Sequence, residues 1–229
     1  MTTPYDDIKS SILDAAMMHV AFDGWSEATL KAAIADAGVE PALARAVLPR
    51  GAVDLALAYH QRGDQQMLEA IRAMDMTEMK MRDKIIAAVR ARLAVGDKEA
   101  VRRGMTLFAL PQHAGDGAKA LWATADLIWD TLGDSSDDVN WYTKRATLTA
   151  VLSSTVLYWL GDDSEGDEAT WAFLDRRVGD VMQVEKLKAQ VGDSPLLKPF
   201  MAGPNWLARQ IRAPMRRPRG DWPLGAGRS

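Results

Sequence analysis

Apolar residues recur at intervals of three and four from near the start of this chain to residue 190. Ile8, Ile12, Ala15, Ala16, His19 and Phe22 share one side of a first helix. Leu121, Trp122, Ala125, Ile128, Trp129 and Leu132 do the same near 117–132. No stretch alternates with the period of two that a half-buried strand requires. The spacing predicts an all-α chain.

Local punctuation sets the boundaries. Ser26 is an N-cap, Gly38 closes the second helix, and Pro41 suits the first turn of a third that ends at Pro49-Arg50-Gly51. Longer helices follow near 52–73, 78–95, 98–110, 117–132, 139–160 and 168–190. Between the last three lie GDSSDD and GDDSEGDE, which read as solvated acidic loops. No internal repeat stands out. At 229 residues and 48% hydrophobic, the chain can bury a sizeable core. The division expected is a three-helix head over 1–51, a helical body over 52–191, and a tail over 192–229 that holds six of the ten prolines.

Helix, glycine turn, GVEPALARAVLPRG, then a long helix: this order resembles the DNA-binding head of tetracycline-repressor (TetR) type regulators, and it implies a TetR-like fold. DNA affinity depends on basic side chains that displace counterions from phosphates. Residues 10–60 carry Lys31, Arg45 and Arg50 against Asp14, Asp23, Glu27, Asp36, Glu40 and Asp54, a balance of −3. The segment PALARAVL offers one side chain, Arg45, able to read a base edge. The head reads as a vestigial scaffold, with no nucleic acid as partner.

Catalytic chemistry finds little purchase. The chain has no Cys, so thiolate catalysis and thiolate zinc sites are absent. Its three His, at 19, 60 and 113, form no pair at metal-ligand spacing. His19 reads as a satisfied core histidine. His60 and Asp64 read as an i, i+4 surface pair. AGDGAK at 114–119 lacks the spacing of a phosphate loop. The expectation is no enzyme, no metal and no cofactor.

Two segments point to partners. In ATWAFLDRRVGDVMQVEK, Trp171, Leu174, Val178 and Val181 form a stripe, with Arg176 and Arg177 beside it. The stripe fits core packing, and the Trp and Arg types also fit an interface hot spot. The tail segment LLKPFMAGPNWLARQIRAPMRRPRG carries six basic residues and no acid between Ser194 and Gly220. Without those six, the net charge falls from −3 to about −9. Phe200, Met201, Trp206, Leu207 and Ile211 alternate with Arg209 and Arg212. That mixture suits a membrane interface. Docking on the body, or a nucleic acid or other acidic partner, are the other readings.

LPRGAVDLALAYHQRGDQQM (48–67), ATWAFLDRRVGDVM (169–182) and the LLKPF…NWL tail together resemble the ninth coenzyme Q protein family, accessory factors of ubiquinone biosynthesis. The resemblance implies a TetR-like fold without DNA-binding function, and a quinone-type or other isoprenoid lipid held in a body cavity. It also implies association with the demethoxyubiquinone hydroxylase through the patch around Trp171. A C-terminal amphipathic helix, here about 204–213, would touch the membrane surface. A homodimer is expected. Cavity candidates are Met74, Trp122, Trp129, Leu152, Val156 and Trp159, with the cluster Met67, Met74, Met76, Met79 and Met81 as an adaptable lining; core packing explains the same residues. MTTPYDDIKSS has neither a basic n-region nor an apolar h-region, and the first Arg is Arg45. This suggests a bacterial member, or a chain written without its presequence; the location expected is the bacterial one, cytoplasmic and peripherally on the inner membrane. The alternative function is a ligand-responsive transcription regulator.

Overall fold

A computed structural model describes residues 4–192 and 213–214. Nine α-helices run through these residues: α1 Pro4–Asp23, α2 Glu27–Asp36, α3 Pro41–Val47, α4 Ala52–Ala73, α5 Met81–Ala94, α6 Lys98–Phe108, α7 Ala114–Thr131, α8 Val139–Leu160 and α9 Glu168–Gly192. A single 3-10 turn, Glu165–Asp167, precedes α9. No strand occurs among the described residues.

The caps act as the sequence suggests. Ser26 Oγ accepts from Thr29 N at 3.2 Å, and the Thr29 hydroxyl donates back to Gly24 O at 2.6 Å. Gly51 has φ +65°, and a Cβ there would lie 2.4 Å from Glu27 Oε1. That carboxylate accepts from Ala52 N at 3.0 Å, capping α4 from the start of α2. The Pro-Arg-Gly corner thus needs its glycine twice, for backbone conformation and for space. Arg50 completes it. Its backbone N–H and Nε donate to Asp54 at 2.8 Å each, and Nη1 reaches Asp116 at the start of α7.

Two apolar cores result. The head core gathers Ile12, Leu13, Ala16, Val20, Leu30, Ala33, Val47 and Leu48 with Leu55 and Ala56 of α4. The body core gathers Met67 and Ile71 of the same helix with Val89, Ile128, Leu148, Leu152, Leu174 and Val178. α4 therefore belongs to both. Trp25 Nε1 donates to Ala100 O at 2.9 Å, a second tie between head and body.

Three sequence expectations change here. His19 is half-buried rather than a core residue, and Nε2 meets Asp36 at 2.7 Å. His60 and Asp64 are not on the surface: Asp64 is buried and pairs with Arg92. The acidic loops are not merely solvated, because Asp134 and Asp162 are both buried. The two loops share Leu-Gly-Asp-x-Ser, at 132–136 and 160–164. In each, the Asp accepts from the Ser backbone N–H and hydroxyl, an Asx turn. Asp134 then binds Arg145 and Lys144 of α8, and Asp162 binds the N–H and hydroxyl of Thr170 in the first turn of α9. Burial alone would raise the Asp134 carboxyl, but hydrogen bonds from Lys144, Arg145 and Ser136 outweigh it and hold it below the usual carboxylate range. Hydrogen bonds from Thr170 and Ser164 do the same for Asp162. Arg145 is 0% exposed and also meets Asp126 and Asp130.

Candidate functional site

A cavity of about 380 Å³ lies between α4, α5, α6, α7 and α8. It falls at the small end of the roughly 300–1,000 Å³ of ligand pockets. Its lining is mostly apolar or small: Trp25, Leu93, Val101, Met105, Phe108, Leu121, Leu152, Val156, Leu157 and Trp159, with Gly96, Gly104 and Gly117 between them. The glycines set its walls. A Cβ at Gly117 would come within 2.7 Å of Phe108 Cβ, so α6 and α7 approach only because residue 117 has no side chain.

Much of the polar wall comes from three helices. His60 of α4, Arg92 of α5 and Thr124 of α7 all line the cavity, and Asp64 stands behind them. Arg92 Nε donates to Asp64 Oδ1 at 2.7 Å. Its Nη2 lies 3.2 Å from His60 O and 3.3 Å from His60 Nδ1. Thr124 Oγ1 donates to Asp64 at 2.9 Å and lies 2.8 Å from His60 Nε2. Burial lowers the His60 pKa, the Arg92 charge lowers it further, and Asp64 only partly opposes them. A neutral His60 satisfies the network: Nδ1 accepts from Arg92, and Nε2–H donates to Thr124 Oγ1 or to Ala120 O at 3.2 Å. Gly63 makes the cluster possible, since a Cβ there would sit 2.7 Å from Arg92 Nη1.

Of the cavity candidates read from sequence, Leu152, Val156 and Trp159 line this space. Met74 lies at the exposed C-cap of α4. Trp122 packs on Trp141, and Trp129 donates to Lys144 O. None of the cluster Met67, Met74, Met76, Met79 and Met81 lines the cavity; Met105 does. Sequence reading missed His60, Arg92 and Thr124 as a group. The one local sign was Gly63, a mid-helix glycine marking a close approach.

The candidate partner patch divides. Arg176 and Arg177 are exposed. Trp171 is half-buried, with Nε1 donating to Gly166 O at 2.7 Å and the Arg90 guanidinium 4.7 Å above its ring. Leu174 is 0% exposed in the body core and offers a partner no surface. Phe200, Met201, Trp206, Leu207, Arg209, Ile211 and Arg212 lie outside the described residues.

The family model for COQ9 matches residues 114–185. Ubiquinone biosynthesis protein COQ9, mitochondrial, of Drosophila melanogaster is 30% identical over 191 residues, covering 81% of this chain and 58% of the relative. The Xenopus tropicalis protein of the same name is 29% identical over 200 residues, covering 82% and 62%. The human protein is 26% identical over 195 residues, covering 81% and 61%. The chain thus spans about three fifths of the length of these relatives. All three are named as mitochondrial, which overturns the expectation of a bacterial inner-membrane location. Among solved structures, a TetR transcriptional regulator from Nitrosomonas europaea ATCC 19718 superposes with a TM-score of 0.60 at 18% identity, covering 76% of this chain and 97% of the regulator. By sequence the chain is similar to COQ9 proteins over most of its length, and by fold it stands beside a TetR regulator.

Proposed function

We propose that this chain is a non-catalytic, lipid-binding accessory protein of ubiquinone biosynthesis. It holds a quinone-type or other isoprenoid lipid in the body cavity and hands it to the demethoxyubiquinone hydroxylase. The observation that carries the reading is the cavity itself: about 380 Å³, lined largely by carbon and placed inside the body. Each methylene removed from water contributes about 0.8 kcal/mol. An isoprenoid chain therefore needs such a shelter whenever it leaves a bilayer.

Organic extraction of the purified protein followed by mass spectrometry tests this. A co-purifying isoprenoid or quinone precursor is the expected result. A folded, monodisperse protein that carries no lipid, and takes none up from vesicles, would overturn it. The partner reading rests on the outward face of α9, where Arg176 and Arg177 are exposed beside half-buried Trp171. Trp171→Ala is expected to weaken capture of the hydroxylase while the thermal transition stays close to that of the parent. Tail contact with a membrane surface is tested by vesicle flotation of a chain ending at residue 194. A homodimer is the proposed assembly, and a monomer in sedimentation equilibrium would overturn it.

The rival reading, a ligand-responsive DNA-binding regulator, has the fold in its favour. Against it, Arg50 is engaged by Asp54 and Asp116 rather than presented from the head. Salt-dependent binding to a duplex library would reverse this ranking.

A further inference from the structure

Most carboxylates at the corner between α7 and α8 are committed to the fold. Asp134 is buried against Lys144 and Arg145. Asp138 caps α8, accepting from Asn140 N at 2.8 Å. Asp137 stands between them and is exposed, and its carboxylate makes no ion pair among the described residues. The corner and the last turns of α7 carry Asp126, Asp130, Asp134, Asp137 and Asp138 against Lys144 and Arg145, which leaves three negative charges.

A part of the chain distant in sequence touches this corner. The Ala213 N–H donates to Asp137 O at 2.9 Å, and Ala213 is half-buried. Pro214 favours an extended Ala213, which suits a bond to a passing carbonyl. Twenty residues separate Gly192 from Ala213, and twenty residues can span up to about 70 Å. The connection therefore does not force Ala213 to this place. One exposed backbone bond is too weak to hold a chain segment against water. Charge complements it. Arg209, Arg212, Arg216, Arg217 and Arg219 all lie within six residues of Ala213, and no acid occurs from Ser194 to Gly220. Opposite charges tethered on one chain meet at high effective concentration.

We infer that the α7–α8 corner is a docking site for the chain's own basic tail, anchored at Ala213 and held by the excess negative charge around Asp137. Its consequence rests on the membrane reading of that tail: to touch a membrane, the tail must first leave the corner. The same arginines cannot serve Asp137 and a lipid phosphate together. An anionic surface can replace the corner, and a neutral one cannot. The corner thus makes the tail selective for charged lipid.

Because the chain has no Cys, Met215→Cys carries a single nitroxide, and paramagnetic broadening in the intact protein reports where the tail lies. Amide signals of residues 133–140 are expected to broaden at about 0.05 M salt and to recover at about 1 M, where the Debye length is about 3 Å. Signals from α2 and α3 should stay sharp. Asp137→Lys, at an exposed position, is expected to remove the broadening, and Asp137→Asn to reduce it. A corner that stays sharp in the parent overturns the inference and leaves the membrane reading intact. So does broadening that both salt and Asp137→Lys leave in place. Vesicle flotation then tests the competition. Asp137→Lys is expected to raise partition onto phosphatidylcholine vesicles containing phosphatidylserine by about two- to fivefold, the worth of an exposed ion pair. On phosphatidylcholine alone it should change nothing, and in a chain ending at residue 194 it should have no effect. An unchanged partition, or an equal gain without the tail, also overturns the inference. If neither parent nor variant floats on any vesicle, the membrane reading falls and the selectivity falls with it, while the broadening still decides the docking.

Discussion

Head and body are built from the same kind of helix and hold themselves together differently. Among the buried polar residues, the head contributes Thr29, whose hydroxyl is satisfied within its own turn. The body contributes Asp64, Thr124, Asp134, Arg145, Thr155, Asp162 and Thr170. A small apolar core with local caps needs only pattern and punctuation to form. A body that keeps a cavity open cannot rely on packing everywhere. It fixes its helices with ion pairs and hydrogen bonds, which add little net stability but allow few alternative arrangements.

The comparison breaks most sharply at Arg145. Arg145→Met leaves Asp126, Asp130 and Asp134 facing one another without their shared cation. It should cost about 3–5 kcal/mol in urea unfolding, and a loss below about 1 kcal/mol would mean those carboxylates are hydrated in the native state. Leu55→Ala opens the head core at a fully buried position and should cost about 2–5 kcal/mol. Hydrogen exchange on the two variants then asks whether α4 makes one cooperative unit of head and body. If it does, each variant lowers protection in both halves. If not, Leu55→Ala affects α1 and α2 while Arg145→Met affects α7 and α8.

Gly63→Ala should cost roughly 1–3 kcal/mol by pushing Arg92 off α4. Gly115→Ala is its control, with nothing within 4 Å of the added Cβ; it should be neutral or slightly stabilising. The smallest effect is in pH. His60 is kept neutral by the fold and gains a proton on unfolding, so stability should begin to decline as pH falls below about 6.5. Asp134 and Asp162 are held below the usual carboxylate range, so they contribute above about pH 4 and lose that contribution on further acidification. Urea midpoints from pH 7.5 to 3 would show the two steps, and His60→Gln should flatten the upper one.

The helices were legible in the sequence because their signals are local. Ser26, Gly38 and Pro41 mark helix ends within a residue or two of where α2 and α3 start and stop. The site was not. His60, Arg92 and Thr124 stand on three helices, 32 and 64 residues from the first member. No window contains them, and a residue pattern on α4 alone describes His60 and Asp64 equally well as a surface pair. Cavity and core share one hydrophobic pattern. That is why Trp129 and Trp159 looked alike from sequence, although only Trp159 lines the cavity. The acidic loops misled for a different reason. Asp134 and Asp162 are polar by composition, but each is surrounded by donors that only the folded chain brings to it.

Those loops also decide where the chain can be cut, labelled or extended. Each closes the end of one helix on the start of the next through a single carboxylate, so an inserted peptide would part the two ends. A fluorophore, an affinity tag or new termini belong elsewhere, in the connection from Asp75 to Lys80 between α4 and α5. There Asp75, Thr77, Glu78 and Lys80 face solvent, and neither core depends on them.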